Sequence, residues 1–437
     1  MSLTVLVVGS GGREHALAVA LSRDPGVASV HVAPGNPGTW AVSSQYGVST
    51  GSPLWTRISS VDPLDGEQVA SLARELGAGL VVIGPEAPLV AGVADRVRAA
   101  GIPCFGPSAE AARLEGSKQF AKEVMAAAAV PTARSRYCET AEQAESALDE
   151  FGPPYVVKDD HLAAGKGVVV TTDRAEALAH AIACRQVVIE EYLDGPEVSL
   201  FVICDGVRGI PLLPAQDFKR VGDADTGPNT GGMGAYCPLP WVPEGFVTHV
   251  MDTVVDPVLA EMNSRGTPFQ GLLYAGLALT SQGVRVVEFN ARFGDPETEA
   301  VLPLLQSGLG QVLYAAATGS LTDIPELTWD DASSVVVIWA ADGYPGTVAK
   351  GGRIAIPALD DNATVIHCGT ALDDQGGLVS HGGRVLAVVA QGSDLTAARD
   401  NVYQAVDRID FPTGFHRHDI AQRAAAGLIP TPPIQGQ

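Results

Sequence analysis

A lysine- and glycine-rich turn between two apolar runs is the first part of the sequence that could do chemistry. It lies in "VVKDDHLAAGKGVVV", which begins at Val156. A Walker A loop would need glycine in place of Asp160 and Ser or Thr in place of Gly167, so the turn is of another type. The pattern predicts a β-hairpin whose tip, Gly165, Lys166 and Gly167, could fold over a triphosphate as a lid. An ordinary hairpin with solvated lysines is the alternative.

Lys158 lies on the strand that enters this turn. Side chains alternate along a strand, so Lys158 and Asp159 face opposite ways and the lysine can face a cleft. An acid facing the same cleft would neutralise the lysine, because unlike charges about 4 Å apart attract by roughly 4 kcal/mol at an effective dielectric of about 20. The alternation therefore favours Lys158 as a phosphate ligand.

Glu288 and Asn290 in "VVEFNARFGDPET" are the candidate metal ligands. Two residues apart on a strand, they share one face while Phe289 faces the core. One carboxylate and one amide oxygen suit Mg²⁺, which completes its octahedron with water and phosphate oxygens. Arg292 continues the same face if the strand persists, and it could compensate charge on a transferred phosphoryl group. An edge strand with a solvated face is the alternative.

Two further segments place polar groups where a nucleotide or a zwitterion could bind. In "VVIEEYLDGPEVS" (187–199) the strand end could take a purine edge and a carboxylate could accept ribose hydroxyls, although a solvated acidic turn is the default interpretation. The polar loop "DFKRVGDADTGPNTGGMGAY" (217–236) contains Asp217, Lys219 and Arg220, which could hold a zwitterion or a phosphate. A compact domain rarely keeps such a long loop without a function.

The N-terminal "GSGGREH" resembles a dinucleotide-binding fingerprint but departs from it. Gly9 and Gly11 fit, yet Glu14 stands at the last glycine position, and the second strand ends without the acid that binds a ribose hydroxyl. A glycine turn before a helix can still hold a lone phosphate. "APGNPGT" (33–39) and "GPEAP" (84–88) fall at carboxyl ends of strands in the same sheet, where such folds bind ligands, plain turns being the alternative.

The elements that position these loops begin with an α/β unit. Strands at 3–9, 28–33 and 79–88 alternate with helices near 13–22 and 89–100, which predicts an open, Rossmann-like α/β sheet.

The rest of the chain predicts an α+β unit and a β-rich one. A helix over 117–129 stops before a proline, and closely spaced strands from residue 155 onward enclose one helix, 174–184. The segment 271–294 predicts an antiparallel pair joined by "SQG". Short strands with glycine turns after Ser320, closed by a helix near 395–408, predict a small β-rich C-terminal domain, and the Pro-rich tail is expected to fray.

Composition limits the possible partners. The 437 residues include 28 basic and 50 acidic side chains, a net charge of −22, which argues against a nucleic-acid partner. A polyanion such as ATP must then meet a local cluster of Lys, Arg and backbone N–H groups. Six scattered cysteines without a C-x-x-C pair indicate a reducing compartment and no zinc site. The apolar runs are too short for a membrane span and no basic leader is present, so we expect a cytoplasmic protein without a membrane partner.

Taken together, these segments resemble the phosphoribosylamine–glycine ligase family (the glycinamide ribonucleotide synthetases) of the ATP-grasp superfamily. The resemblance rests on "GSGGREHAL", "VAPGNPGT", "GPEAPLVAG", "LEGSKQFAK", "LAAGKGV", "VIEEYLDGPEVS", "QDFKRVGDADTGPNTGGMGAY", "GLLYAGL", "EFNARFGDPET", "GYPG", "HCGT" and "GGRVL". It covers nearly the whole chain in order. It implies an N-terminal α/β substrate-binding domain (1–104), an ATP-grasp domain (105–328) with a lid at about 122–188, and a β-rich C-terminal domain (329–437).

The resemblance also implies a reaction and a site. Glycine and 5-phosphoribosylamine would be joined at the expense of ATP, through glycyl phosphate, by a monomer active in de novo purine biosynthesis. The ATP phosphates would be held by Lys118, Lys158, Gly165, Lys166, Gly167 and Val168. Adenine and ribose would be held by Glu190, Tyr192, Leu193 and Glu197. Mg²⁺ or Mn²⁺ would be bound by Glu288 and Asn290. Phosphoribosylamine would be received by Gly11, Gly12, Asn36 and Glu86, and glycine would lie near Asp217 and Lys219. The implied catalytic residues are Arg292, Lys158 and Asp217.

Three departures from the family pattern and two rival functions complete the prediction. Asp159 and His161 replace small residues of the lid loop, the segment before residue 187 looks short, and Glu299 stands where glutamine is common. None touches the predicted metal ligands, so we expect activity to be retained. A sibling ATP-grasp ligase would keep the ATP half and change the acceptor. A nicotinamide-dependent protein is the other rival, and the missing third glycine weighs against it.

Overall fold

The structure, a computed structural model, describes residues 3–40, 61–160 and 167–430. The predicted lid-tip residues Gly165 and Lys166 lie outside these ranges, as do His161 and most of the C-terminal tail. In the described part of the chain, no helix combines the length and apolar character needed to cross a membrane.

Four parallel strands in the order β2-β1-β3-β4 form the N-terminal sheet. The elements are β1 (Leu3–Gly9), α1 (Gly12–Ser22), β2 (Val27–Pro34), α2 (Gly66–Glu75), β3 (Leu80–Ile83), α3 (Glu86–Val90), α4 (Val93–Ala99) and β4 (Cys104–Phe105). Successive residues of β1 from Val5 to Val8 are fully buried and belong alternately to two core clusters, so both faces of the sheet are covered. The predicted open α/β sheet is confirmed.

Two details of this unit differ from the prediction. The strand predicted over 79–88 ends at Ile83, and Glu86 already begins a helix. The helix predicted over 89–100 is divided into α3 and α4, because Gly92 adopts a φ of +79° in the left-handed region.

A second, antiparallel sheet has the order β5-β8-β6-β7. The chain reaches and builds it through α5 (Arg113–Gly116), α6 (Lys118–Ala127), β5 (Ser135–Cys138), α7 (Ala141–Phe151), β6 (Tyr155–Asp159), β7 (Val168–Thr171), α8 (Arg174–Cys184) and β8 (Val187–Glu190). The predicted hairpin is β6 and β7, with Lys158 paired to Val168. The predicted helix 174–184 is α8, whereas α7 was not predicted. Asp173 caps α8 by accepting from the backbone N–H groups of Ala175 and Glu176.

The central sheet has the order β10-β9-β15-β16. Its strands are β9 (Glu197–Asp205), β10 (Gly209–Pro211), β15 (Gln270–Thr280) and β16 (Gly283–Asn290), and nearby lie α9 (Phe246–Val250), a π-helical turn (Met251–Val255) and α10 (Asp256–Ser264). The predicted antiparallel pair is confirmed as β15 and β16. The sequence grouped β9 with the lid strands, but β9 pairs with β15 along its whole length. β16 ends at Asn290, so Arg292 lies beyond the strand and does not continue its face.

The last sheet has the order β11-β14-β17-β21-β18, with β22 beside β17. Its strands are β11 (Gln216–Asp217), β14 (Gly234–Cys237), β17 (Ser333–Ala341), β18 (Ala363–His367), β21 (Arg384–Gly392) and β22 (Gly414–Phe415). The hairpins are β12 (Arg220–Gly222) with β13 (Thr226–Asn229) and β19 (Thr370–Leu372) with β20 (Leu378–Ser380), and the helices of this half are α11 (Glu297–Val301), α12 (Leu309–Thr318), α13 (Leu395–Val406) and α14 (Gln422–Ala425). The predicted closing helix is α13. Because β11 and β14 come from the polar loop 217–236, that loop is built into the C-terminal sheet.

Candidate active site

A cleft of about 1470 Å³ receives side chains from all three parts of the chain. The sequence contains six lysines, and the cleft is lined by Lys118, Lys122, Lys158 and Lys219. Lys350 is exposed elsewhere, and the sixth lysine, Lys166, lies outside the described residues. In a chain with a net charge of −22, this concentration of lysines identifies the cleft as the place where an anion would bind.

A buried ion triad lies on the cleft wall formed by α6, β6 and β8. The Lys158 and Lys122 ammonium groups each lie 2.8 Å from a different carboxylate oxygen of Glu190. Lys158 also donates to the Val287 carbonyl at 3.0 Å. Burial disfavours its charge, but the carboxylates of Glu190 and Glu288 outweigh burial and raise the pKa of Lys158. Lys158 is therefore a fixed cation that faces the cleft, as the strand alternation predicted, but Glu190 and Glu288 bring acidic groups to the same cleft, which the alternation of β6 alone did not predict.

The predicted metal ligands lie on β16, beside this triad. Glu288 and Asn290 both line the cleft, and Phe289 between them is 3% exposed in the core. Asn290 Oδ1 accepts from Arg292 Nη2 at 3.3 Å. The described residues contain no group of three or more His, Cys, Asp or Glu side chains that could hold a metal on its own. A carboxylate with an amide oxygen therefore fits an ion that takes its other ligands from phosphate and water.

Arg292 is held by two glutamates although it lies outside the strand. Its guanidinium is 2.9 Å from Glu115 Oε1 and 3.4 Å from Glu86 Oε2, and Glu115 also accepts from the backbone N–H of Ala291 at 2.8 Å. Burial opposes the charge, but these carboxylates raise the pKa of Arg292 above its ordinary value. Glu86, predicted to bind phosphoribosylamine, thus pairs with Arg292 in this structure.

Asp217 and Lys219 form a second ion pair that lines the cleft. Lys219 Nζ lies 2.8 Å from Asp217 Oδ1 and 2.7 Å from Glu197 Oε2. Burial raises the pKa of Asp217 to about 7, and the nearby carboxylates of Glu297 and Glu197 add to the rise while Lys219 opposes it. A carboxylate beside an ammonium group carries the two charges that a zwitterion would need, and the binding of glycine there stays a prediction.

The N-terminal loops are held by hydrogen bonds to their own backbone and by close side-chain contacts. Gly11 donates to Glu14 Oε2 at 2.6 Å. A side chain at Gly12 would meet Glu299 and Cys368, because its Cβ would lie 2.6 Å from both Glu299 Oε1 and Cys368 Sγ. The Asn36 amide donates to the carbonyls of Ser10 at 2.9 Å and His367 at 2.8 Å, and its oxygen accepts from the backbone N–H of Gly38. Asn36 is 4% exposed, so it positions the loops.

The predicted ATP ligands are only partly brought together. Lys118, Gly167, Val168 and Glu190 line the cleft. Tyr192 is 51% exposed, and neither Tyr192 nor Leu193 is among the described residues that line it. Glu197 is paired with Lys219, and its contact with a ribose stays a prediction.

Several residues of the cleft were missed by sequence reasoning. These are Arg13, Glu115, Lys122, Tyr274, Glu297 and Arg384. Lys122 had a local signal, because it follows Lys118 by four residues on a helix and shares its face. The others depend on contacts between distant parts of the chain.

The chain matches three models of the phosphoribosylglycinamide synthetase family. The N domain matches residues 3–115, the ATP-grasp (A) domain residues 116–298 and the C domain residues 334–423. A biotin carboxylase domain of a 2-oxoglutarate carboxylase from Hydrogenobacter thermophilus aligns with a TM-score of 0.70 at 18% identity, over 95% of this chain and 92% of that one. The fold is thus that of an ATP-grasp protein.

Closer relatives define the family. Phosphoribosylamine–glycine ligases from Streptomyces coelicolor and Mycobacterium tuberculosis are 57% and 54% identical over 428 and 436 residues, which cover 97% and 98% of this chain and 100% of each relative. A crystal structure of the Thermotoga maritima ligase aligns with a TM-score of 0.81 at 31% identity, over 96% of this chain and 100% of that one. The chain belongs to the phosphoribosylglycinamide synthetase family. The predicted family, fold and enzyme class, a ligase, are confirmed.

Proposed function

We propose that this protein joins glycine to 5-phosphoribosylamine with the cleavage of ATP to ADP and phosphate, and so makes glycinamide ribonucleotide for purine biosynthesis. The observation that carries the proposal is the meeting, in one cleft, of a lysine-rich wall for phosphate and an Asp217–Lys219 pair for a zwitterion. The relatives at more than half identity over full length support the choice of substrates.

At the lysine-rich wall, the chain's own residues would bind and orient the triphosphate. Lys158 is fixed by Glu190 and by the Val287 carbonyl, so its ammonium needs little reorganisation to meet a phosphate oxygen. The glycine carboxylate would attack the terminal phosphorus, and ADP would leave as glycyl phosphate forms. Arg292, whose guanidinium is held by Glu86 and Glu115, would compensate charge on the transferred group.

In the same cleft, Lys219 would attract the glycine carboxylate and Asp217 its ammonium group. The amine of phosphoribosylamine would then attack the acyl carbon and release phosphate. An acyl phosphate hydrolyses readily, so the hairpin β6–β7 would close over the cleft and exclude water. The N-terminal loops around Gly11 and Gly12 would hold the phosphate of phosphoribosylamine.

The charges of the cleft support a requirement for a divalent cation. Seven basic side chains line its described part, namely Arg13, Lys118, Lys122, Lys158, Lys219, Arg292 and Arg384. Seven acidic ones do so as well, namely Glu86, Glu115, Glu190, Asp217, Glu288, Asp295 and Glu297. A balanced lining leaves the charge of a triphosphate uncompensated. Mg²⁺ or Mn²⁺ at Glu288 and Asn290 would supply positive charge that neutralises the phosphates.

The test is a coupled measurement of phosphate and product. Purified protein is incubated with ATP and Mg²⁺, and phosphate release is followed with glycine alone, with phosphoribosylamine alone, and with both. We expect release in proportion to glycinamide ribonucleotide, identified by mass, only when both are present. Release with a different amine acceptor in place of phosphoribosylamine would favour a sibling ligase. No nucleotide cleavage under any condition would contradict the proposal.

Three finer statements belong to the same proposal. The domain boundaries at 104 and 328, with a lid at about 122–188, remain predictions, although the lid-like sheet runs from β5 to β8. A monomer and a cytoplasmic location also remain predictions.

A further inference from the structure

The C-terminal sheet is bonded directly to a turn of the cleft. β11 and β14 enclose the loop whose residues Thr230 and Gly231 line the cleft. β14 pairs with β17 from Gly234 to Cys237, so the strand that follows the turn belongs to the C-terminal sheet. The turn is therefore tied to a part of the chain that the proposed chemistry does not use.

Arg384, the first residue of β21, reaches from this sheet into the cleft. Its guanidinium donates to the Gly231 carbonyl at 2.5 Å and to the Asp295 carbonyl at 2.6 Å, and it lies 3.1 Å from Asp295 Oδ1. The arginine side chain is 20% exposed and the aspartate side chain 14%. A planar guanidinium can bridge several oxygens in fixed directions, so this contact sets the distance between the turn and the Asp295 loop.

Tyr344 holds the same turn from its other side. Its hydroxyl accepts from the Gly231 backbone N–H at 3.0 Å. A Cβ at Gly231 would lie 3.1 Å from the Arg384 guanidinium carbon, and one at Gly232 would lie 2.5 Å from Pro296 Cδ. Gly232 also has a φ of +112°, in the left-handed region. Because these two residues have no side chain, the turn can pack closely against Arg384, Tyr344 and the segment that follows Asp295.

The clamped turn and Asp295 each make a hydrogen bond beside one of the predicted substrate positions. Thr230 donates from its backbone N–H at 2.7 Å and from its hydroxyl at 2.9 Å to the carbonyl of Lys219, the residue paired with Asp217. Asp295 Oδ2 accepts from the backbone N–H of Arg13, next to Gly12, at 3.4 Å. The triad of Lys122, Lys158 and Glu190 has no contact of this kind with Arg384.

We propose that Arg384 and Tyr344 are positioning residues of the C-terminal domain, which hold the turn from Thr230 to Gly232 against Asp295 and so align glycine and phosphoribosylamine. This inference rests on the proposed function, because it assumes that glycine binds beside Lys219 and phosphoribosylamine beside Gly12. It gives the C-terminal domain a part in the reaction although none of its side chains needs to touch a reacting atom.

The test compares Arg384→Ala, Arg384→Lys and Tyr344→Phe with the wild-type protein. Arg408→Ala is the matched control, because Arg408 lies in the same part of the chain and pairs at the surface with Asp360. We expect KM for glycine and for phosphoribosylamine to rise about tenfold in Arg384→Ala, the loss expected for a charged hydrogen bond, with KM for ATP within about twofold. Arg384→Lys and Tyr344→Phe should show smaller changes of the same kind.

A second readout separates alignment from stability. If the acceptor is misaligned, glycyl phosphate meets water, so phosphate released per product should exceed one in Arg384→Ala and stay at one in the control. Variants that lose activity only through a smaller folded fraction, with unchanged KM values and coupling, would overturn the inference. Tyr344→Phe removes a single hydroxyl and keeps the test decisive if Arg384→Ala does not fold. Failure of the proposed function differs from both, since the wild type itself would then form no product.

Discussion

Replacing Lys158 with methionine is the sharpest test of the phosphate site. The change removes a buried ammonium group but keeps the length of the side chain, whose exposed fraction is 6%. Glu190 keeps its ion pair with Lys122 at 2.8 Å, so this carboxylate is not left without a cation. The substitution therefore removes one fixed positive charge from the cleft without leaving Glu190 unpaired.

The expected loss follows from the distance at which such a charge acts. An ammonium group about 4 Å from a phosphate charge contributes roughly 4 kcal/mol at an effective dielectric of about 20. Part of that attraction is already used on Glu190, so we expect a loss of about 3 kcal/mol in transition-state stabilisation, which is on the order of a hundredfold in kcat/KM.

The assay is glycine-dependent release of ADP at limiting ATP, which reports kcat/KM for ATP, with thermal unfolding to establish that the variant is folded. Lys350→Met is the matched control, because Lys350 is exposed and does not line the cleft. Lys158→Met with kcat/KM within about threefold of the wild type would refute the assignment of Lys158 to the phosphates.

Three more predictions follow from other residues. Glu288→Gln should raise the Mg²⁺ concentration for half-maximal activity by about tenfold or more, since one anionic ligand is lost; an unchanged Mg²⁺ titration would contradict the metal site. Because the pKa of Asp217 is raised to about 7, kcat/KM for glycine should rise with pH through that value, and Asp217→Asn should abolish this rise along with most activity. The carboxylate oxygens of Glu299 have no hydrogen-bond partner among the described residues. Burial and the nearby Asp295 raise the pKa of Glu299. The folded protein therefore binds a proton that the unfolded chain releases above about pH 4.5. The contribution of Glu299 to the free energy of unfolding must fall as pH rises, by up to about 1.4 kcal/mol per pH unit. The free energy of unfolding of Glu299→Gln, measured with urea, should fall less with pH than that of the wild type. Equal slopes of this free energy against pH in the two proteins would disprove the prediction.

The parts of the site that could be predicted from sequence are those fixed by local pattern. Lys158, Glu288 and Asn290 lie on strands whose alternation states which way each side chain faces, and the structure places all three in the cleft. Arg292 is different, because β16 ends two residues earlier and the arginine reaches the cleft through Glu86 and Glu115. Those partners lie more than a hundred residues away, and no local periodicity reports them.

Pairings between distant strands limited the prediction of the fold in the same way. β14 and β17 pair Tyr236 with Val335, and nothing in the loop 217–236 announces that partner. β9 follows the strands β6 to β8 closely in sequence, which is why the sequence groups it with them, but its pairing with β15 places it in the central sheet. The break in the helix at Gly92 and the two-residue strand β4 depend on one or two residues. A helical or extended pattern is read over a longer window and does not detect such short features.

The balance of basic and acidic side chains in the cleft determines how a chain this acidic can bind a nucleotide. A net charge of −22 repels anions from most of the surface, so a nucleotide gains affinity only where cations are fixed close together. Glu190 holds Lys122 and Lys158 in place but also cancels half of their charge. The same carboxylates that order the basic groups therefore leave the described lining of the cleft nearly neutral, which supports the proposed requirement for a divalent cation. If the wild-type protein cleaved ATP at full rate with every divalent cation removed by chelation, this electrostatic account would be wrong even if the ligase reaction were confirmed.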